Sequence, residues 1–212
     1  MLFSLLFQNP LAFFLVAGAL VISLTFHEFS HAFVADKLGD STARSLGRLT
    51  LDPRAHLDKW GTLMLIFVGF GWGRPVPFNP MYLKHPKRDS AIIALAGPFS
   101  NFLLAGLLAG VYHLVSGFGF GAGLLGSLVT VFLYFTILYN LVLGFFNLIP
   151  IHPLDGFKVV NGLLPYDLSL QWMQMAPYGM YLLLILILTQ SIGRMVNPLV
   201  DFGLKLLRIT SF

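Results

Sequence analysis

Between Asp89 and Asp155 the chain carries no Asp, Glu, Lys or Arg, an uncharged run of 65 residues spanning 90–154. A soluble fold built on such a run would present one large apolar surface to water. Charged residues make up only 10% of the 212-residue chain, against about 25% in ordinary soluble domains. The sequence therefore predicts an all-α polytopic membrane protein. It excludes a soluble enzyme, a nucleic-acid-binding domain and a disordered chain. The net charge of +4 does not reopen nucleic acid as a partner. Nine of the 13 Lys and Arg lie in two short segments, 37–59 and 74–90, as cytoplasmic loops require. Cys is absent, which leaves out disulfides and thiolate metal sites.

A bilayer-spanning helix needs about 20 apolar residues. About four segments qualify: 11–36, 91–115, 124–149 and one within 168–193 that starts near Pro177. Residues 61–70 are apolar but too short to span, so they predict a re-entrant segment. If this segment dips and returns, both basic loops are cytoplasmic and the N-terminus is outside. No basic region opens the chain, so a removable signal peptide is not expected. Gly106 and Gly110 form a small-xxx-small pair that promises close helix contact. The alternation at 45–51 predicts a short edge strand. Val76 and Phe78, among the prolines and glycines of 69–80, predict a small membrane-associated hairpin at 74–79. Residues 117–123 read as a glycine-rich turn, and 194–212 as an amphipathic interfacial helix. His56 and His85 fall in the basic loops and read as solvated. The whole is expected to be one domain, with a core at about 11–165 and a C-terminal span and tail at about 170–212.

The first span contains His27-Glu28-Phe29-Ser30-His31. Residues four apart share a helix face, so two imidazoles can reach one zinc ion, with the chain's only Glu beside them as a base toward water. A Glu and two His inside a membrane helix are costly and mark function. A catalytic zinc needs a third protein ligand and an open fourth position. Asp155 is favoured, because it ends the longest uncharged run, where an isolated carboxylate is expensive. His152 is the rival.

Three elements together resemble the site-2 protease family of intramembrane zinc metalloproteases, over about residues 15–165. They are His27-Glu28-x-x-His31, Gly97-Pro98-Phe99-Ser100-Asn101, and Asn147-x-x-Pro150-x-x-Pro153-Leu154-Asp155-Gly156. The resemblance implies one Zn2+ per chain on His27, His31 and Asp155, with Glu28 as general base and Asn147 near the reacting carbonyl. It implies that 97–101 supports helix packing, and that 46–51 and 73–80 correspond to the family's edge strand and hairpin. Substrate contacts are then expected from Leu46, Arg48, Leu49, Val76, Phe78 and Asn101. The implied activity is hydrolysis of a transmembrane protein substrate, such as an anti-sigma factor or a remnant signal peptide, in a bacterial inner membrane. The chain reads as a minimal member without PDZ or CBS domains. A membrane metal transporter or metal-binding protein using the same His/His/Asp set is the alternative.

Overall fold

The computed structural model describes residues 2–68, 71–118 and 123–209. A short helix, α1 (Leu2–Gln8), leads into α2 (Pro10–Lys37). The break is local chemistry. Asn9 caps α2 by accepting from the Ala12 N–H, and Pro10 occupies the first helical position, where a missing N–H does no harm. After Lys37 the chain turns through Gly39 (φ +108°) into the one-turn helix α3 (Thr42–Ser45). Then come a 3₁₀ turn (Pro53–Ala55), α4 (Lys59–Val68) and a second 3₁₀ turn (Pro80–Tyr82). The long helix α5 (Pro86–Gly117) starts with Pro86, and Asp89 reaches back to accept from the His85 N–H. It is followed by α6 (Gly123–Asn147), α7 (Asp155–Leu163), α8 (Tyr166–Gln174), α9 (Ala176–Leu188) and α10 (Ser191–Leu206).

Three helices among the described residues are long and apolar enough to cross a membrane: α2, α5 and α6. The expected fourth full span is not one straight helix. It is α8 and α9, bent by 57° at their junction. The 13 residues of α9 reach only about 20 Å, short of the roughly 30 Å hydrocarbon core. Pro177 in its first turn cannot donate back into α8, and Gln190 takes a left-handed φ of 56° just beyond its end.

The main core cluster lies between α5, α6, α9 and α10. Ala105 and Ala109 of α5 meet Leu133, Ile137 and Leu141 of α6, and Leu183, Val196, Val200 and Leu204 close the cluster from α9 and α10. The expected contact face through Gly106 and Gly110 is corrected here. A Cβ at either glycine would meet nothing, because the packed face is the neighbouring Ala105/Ala109 ridge. The close approaches are elsewhere, at Gly97, Gly144 and Gly162. The described part of the tail holds α10. α10 buries Val196, Val200, Gly203 and Leu204 and exposes Met195, Leu199 and Phe202. Residues 119–122 of the expected glycine-rich turn and 210–212 of the tail lie outside the described residues.

The expected strand at 46–51 and hairpin at 74–79 are not formed. Residues 46–51 are turns, with Gly47 at φ +67° and the Arg48 N–H closing back on the Ala43 carbonyl as a helix stop. Residues 74–79 carry no regular secondary structure, because Pro75 and Pro77 have no N–H to give a ladder. The one β-bridge among the described residues joins Leu57 to Gly73. That bridge brings the chain back beside its point of departure, so α4 leaves and the chain returns. A Cβ at Gly61 would lie 2.0 Å from the Trp72 carbonyl oxygen, which shows how closely the two limbs approach. His56, expected in solvent, is fully buried in this seam. Its Nε2 donates to the Thr50 carbonyl and its own carbonyl accepts from the Arg74 N–H.

Candidate metal centre

His27, Glu28 and His31 sit well inside α2. His27 is ten residues from the charged end at Lys37, about 15 Å along the axis. Gly97 and Asn101 stand at a comparable depth below Arg88 on α5. The helix α7 begins at this depth and runs back to the basic end. Its Gly162 lies against Ala91, and Lys87 donates to the Leu164 carbonyl just past its end. The first residue of α7 is Asp155. The break between α6 and α7, with Pro150 and Pro153 in it, thus delivers a carboxylate to the middle of an apolar bundle.

There it meets both imidazoles. His27 Nε2 and His31 Nε2 are 3.0 Å apart, and Asp155 Oδ2 is 3.1 Å from the first and 3.2 Å from the second. Tetrahedral zinc with bonds of about 2.0–2.1 Å spaces its ligand atoms about 3.3 Å apart, so the triangle has the right size. The protonation of the rings adds a second test. His31 Nδ1 is 2.7 Å from the Ile93 carbonyl oxygen, which can only accept, and His27 Nδ1 is 2.7 Å from Asn101 Oδ1. Both Nδ1 atoms therefore carry hydrogen, and in the neutral rings both Nε2 atoms present lone pairs. Asp155 Oδ2 is buried and has no hydrogen-bond donor. Three ligand atoms converge within 3.2 Å of one another, a set that fits a metal ion. His152 is not part of this group. It packs edge-on against Phe157, and burial together with Lys158 lowers its pKa below the usual range.

Gly97 makes the floor of the site. A Cβ there would sit 2.5 Å from His31 Nε2 and 2.6 Å from His27 Cε1, so only glycine lets the rings lie on α5. Glu28 faces another segment: its Oε2 accepts from the Val76 N–H at 3.1 Å. Arg48 holds that segment in place. It is 5% exposed and donates to the carbonyls of Arg74 and Pro75 at 2.6 and 3.3 Å. Burial and the neighbouring Arg74 lower its pKa, and Glu28 opposes them.

The remaining expected residues are scattered around this frame. Leu46 is exposed, while Leu49, Val76 and Phe78 are half-buried, with Lys158 Nζ 4.8 Å over the Phe78 ring. Asn147 ends α6, and its amide donates to the Leu143 carbonyl at 3.0 Å. Asn101 is fully buried behind His27, its amide donating to the Ser23 carbonyl and to Asn140 Oδ1. It faces no groove. Two polar residues of this site, Asn140 and Ser23, are absent from the sequence-based set. The signal was there: an amide within an otherwise apolar 25-residue span is expensive in lipid.

A profile described as Peptidase family M50 matches residues 14–131 and 124–187. The chain belongs to peptidase family M50. This is the site-2 protease family of the sequence resemblance. A relative from Bacillus subtilis (strain 168), named "Putative zinc metalloprotease YwhC", is 38% identical over 87% of this chain and 84% of its own. A second, "Putative zinc metalloprotease Rip2" from Mycolicibacterium smegmatis, is 30% identical over 94% of this chain and 76% of its own. No solved structure gives a significant match. Family membership and the apolar helices together make this M50 peptidase an integral membrane zinc metalloprotease.

Proposed function

We propose that this M50 peptidase hydrolyses a peptide bond within or near a transmembrane segment of a membrane-protein substrate, using one zinc ion held by His27, His31 and Asp155. The observation that carries this reading is the convergence of three ligand atoms within 3.2 Å, about 15 Å inside the charged end of α2. His27, His31 and Asp155 would hold a zinc ion there, which when bound would supply Lewis-acid polarisation of the scissile carbonyl and acidify water. Glu28 Oε1 takes the proton of the attacking water and returns it to the leaving amine. Val76 holds Oε2 and so aims the carboxylate. Asn147 exchanges its own-helix carbonyl for the substrate's developing oxyanion.

A helical substrate shields its peptide bonds and must unwind before it is cut. Unwound backbone in lipid needs partners. Segment 74–79, which carries Val76 and Phe78, provides with Leu46 and Leu49 the surface where the substrate docks. By the resemblance, the substrate is a membrane-tethered regulator such as an anti-sigma factor, or a remnant signal peptide. The basic loops 37–59 and 74–90 face the cytoplasm of a bacterial inner membrane.

The test is cleavage of a reconstituted transmembrane substrate by the purified full chain, with Glu28→Gln beside it. Cleavage that needs zinc and is lost in Glu28→Gln supports the reading, and Asp155→Ala should lose its zinc. Zinc uptake into vesicles without cleavage would favour a transporter instead.

A further inference from the structure

Behind His27 lies a chain of buried polar groups that crosses three helices. His27 Nδ1 donates to Asn101 Oδ1 at 2.7 Å. Asn101 Nδ2 donates to the Ser23 carbonyl at 3.1 Å and to Asn140 Oδ1 at 2.8 Å. Asn140 Nδ2 donates to the Thr136 carbonyl and to Ser23 Oγ, both at 2.8 Å, and Ser23 Oγ donates to the Ala19 carbonyl at 2.8 Å. Ser23, Asn101 and Asn140 are all 0% exposed.

The direction of every bond in this chain is dictated by its ends. The carbonyls of Ala19, Ser23 and Thr136 accept only. Flipping Asn140 would set its oxygen against the Thr136 carbonyl, and flipping Asn101 would set its oxygen against both the Ser23 carbonyl and Asn140 Oδ1. With both amides locked, Asn101 Oδ1 must face His27 Nδ1, which must then carry the hydrogen. The lone pair is left on Nε2, the atom that faces His31 and Asp155.

We propose that Asn101, Asn140 and Ser23 are positioning residues that impose the Nδ1–H tautomer on His27 and hold its Nε2 toward the metal. This rests on the metal-site reading above. It differs from mere interhelical glue, because glue would hold α2, α5 and α6 together whichever way the amides pointed. His31 has no such relay; one backbone carbonyl, that of Ile93, sets its tautomer directly. Asn140 never touches a ligand and acts only through Asn101.

Two measurements test it. The first is 15N NMR of the metal-free full chain with labelled histidine, assigned by comparison with a His27→Gln sample. The His27 signal should report a hydrogen on Nδ1 and a lone pair on Nε2. The opposite tautomer, or a mixture, overturns the proposal, and this arm stands whether or not the protein binds zinc. The second is zinc affinity by chelator competition. Asn101→Leu should weaken it about 10–100-fold, the range typical for partners of ligating imidazoles. Asn140→Leu should weaken it less, and the double variant should match Asn101→Leu alone. Unchanged affinity in Asn101→Leu, or additive losses in the double variant, overturns the relay. Failure of the unsubstituted chain to bind zinc sinks the metal reading while leaving the tautomer result to be judged by itself.

Discussion

The two sides of the metal triangle are built differently. Behind the imidazoles stands regular helix: the Ile93 carbonyl, Gly97 and the Asn101–Asn140–Ser23 chain, every amide N–H of which has an acceptor. In front of Glu28 stands irregular chain, residues 71–79, held by the Arg48 fork and one N–H from Val76. Here Arg48 Nε and His56 Nδ1 are buried without partners. The back thus fixes atoms on rigid elements, as a metal site requires. The front is held by side chains and by the backbone bond from the Arg74 N–H to the His56 carbonyl, contacts that can let go one at a time. On the proposed function, a substrate entering this side displaces few hydrogen bonds and breaks no helix.

This contrast predicts that variants at the front damage turnover and spare zinc, while variants at the back damage zinc first. The largest effect is expected from Glu28→Gln. Cleavage should fall about 10²–10⁴-fold, the usual worth of a general base, with metal content by atomic absorption unchanged. Next comes Gly97→Ala at the back, which drives a methyl to within 2.6 Å of both rings. Zinc affinity should drop by about 10–100-fold, visible by chelator competition on protein that still melts cooperatively. Val76→Pro then removes the N–H that aims Glu28. Turnover of a helical substrate should fall about tenfold or more at unchanged zinc content, read from steady-state rates in nanodiscs. The smallest effect belongs to Arg48→Lys, which keeps the charge but cannot reach two carbonyls as a fork. Thermal unfolding should show a loss of about 1–2 kcal/mol and turnover a few-fold decrease, with zinc retained. If Val76→Pro or Arg48→Lys released zinc, the two sides would not be separable and the division would fail.

The acidic residues of the candidate metal centre were legible because each violates its surroundings. Glu28 is the sole Glu and lies in an apolar helix, and Asp155 breaks an uncharged run, so cost alone singles them out. The same reasoning applied to Asn140 would have found it, since an amide at that depth needs a partner on another helix. Asn101 was legible as part of a motif, but its direction was not. Whether an amide faces a groove or the back of a histidine depends on how α5 is rotated against α2. The loop segments were the least legible. Alternation at 45–51 and 74–79 suggests strands, yet a strand forms only where a second edge is within reach. The prolines and the left-handed Gly47 removed that edge.

The sequence by itself determined the solvent, the long helices and the chemical identity of the centre, because apolar length, charge scarcity and the i, i+4 spacing are local properties. Tertiary structure alone decided three other things: that Asp155 meets His27 and His31 across more than a hundred residues, that Arg48 and His56 turn inward, and that the last apolar stretch is a bent pair of helices. Each of these depends on which polar groups find partners once water is excluded. That is a property of the packed bundle and of no single segment.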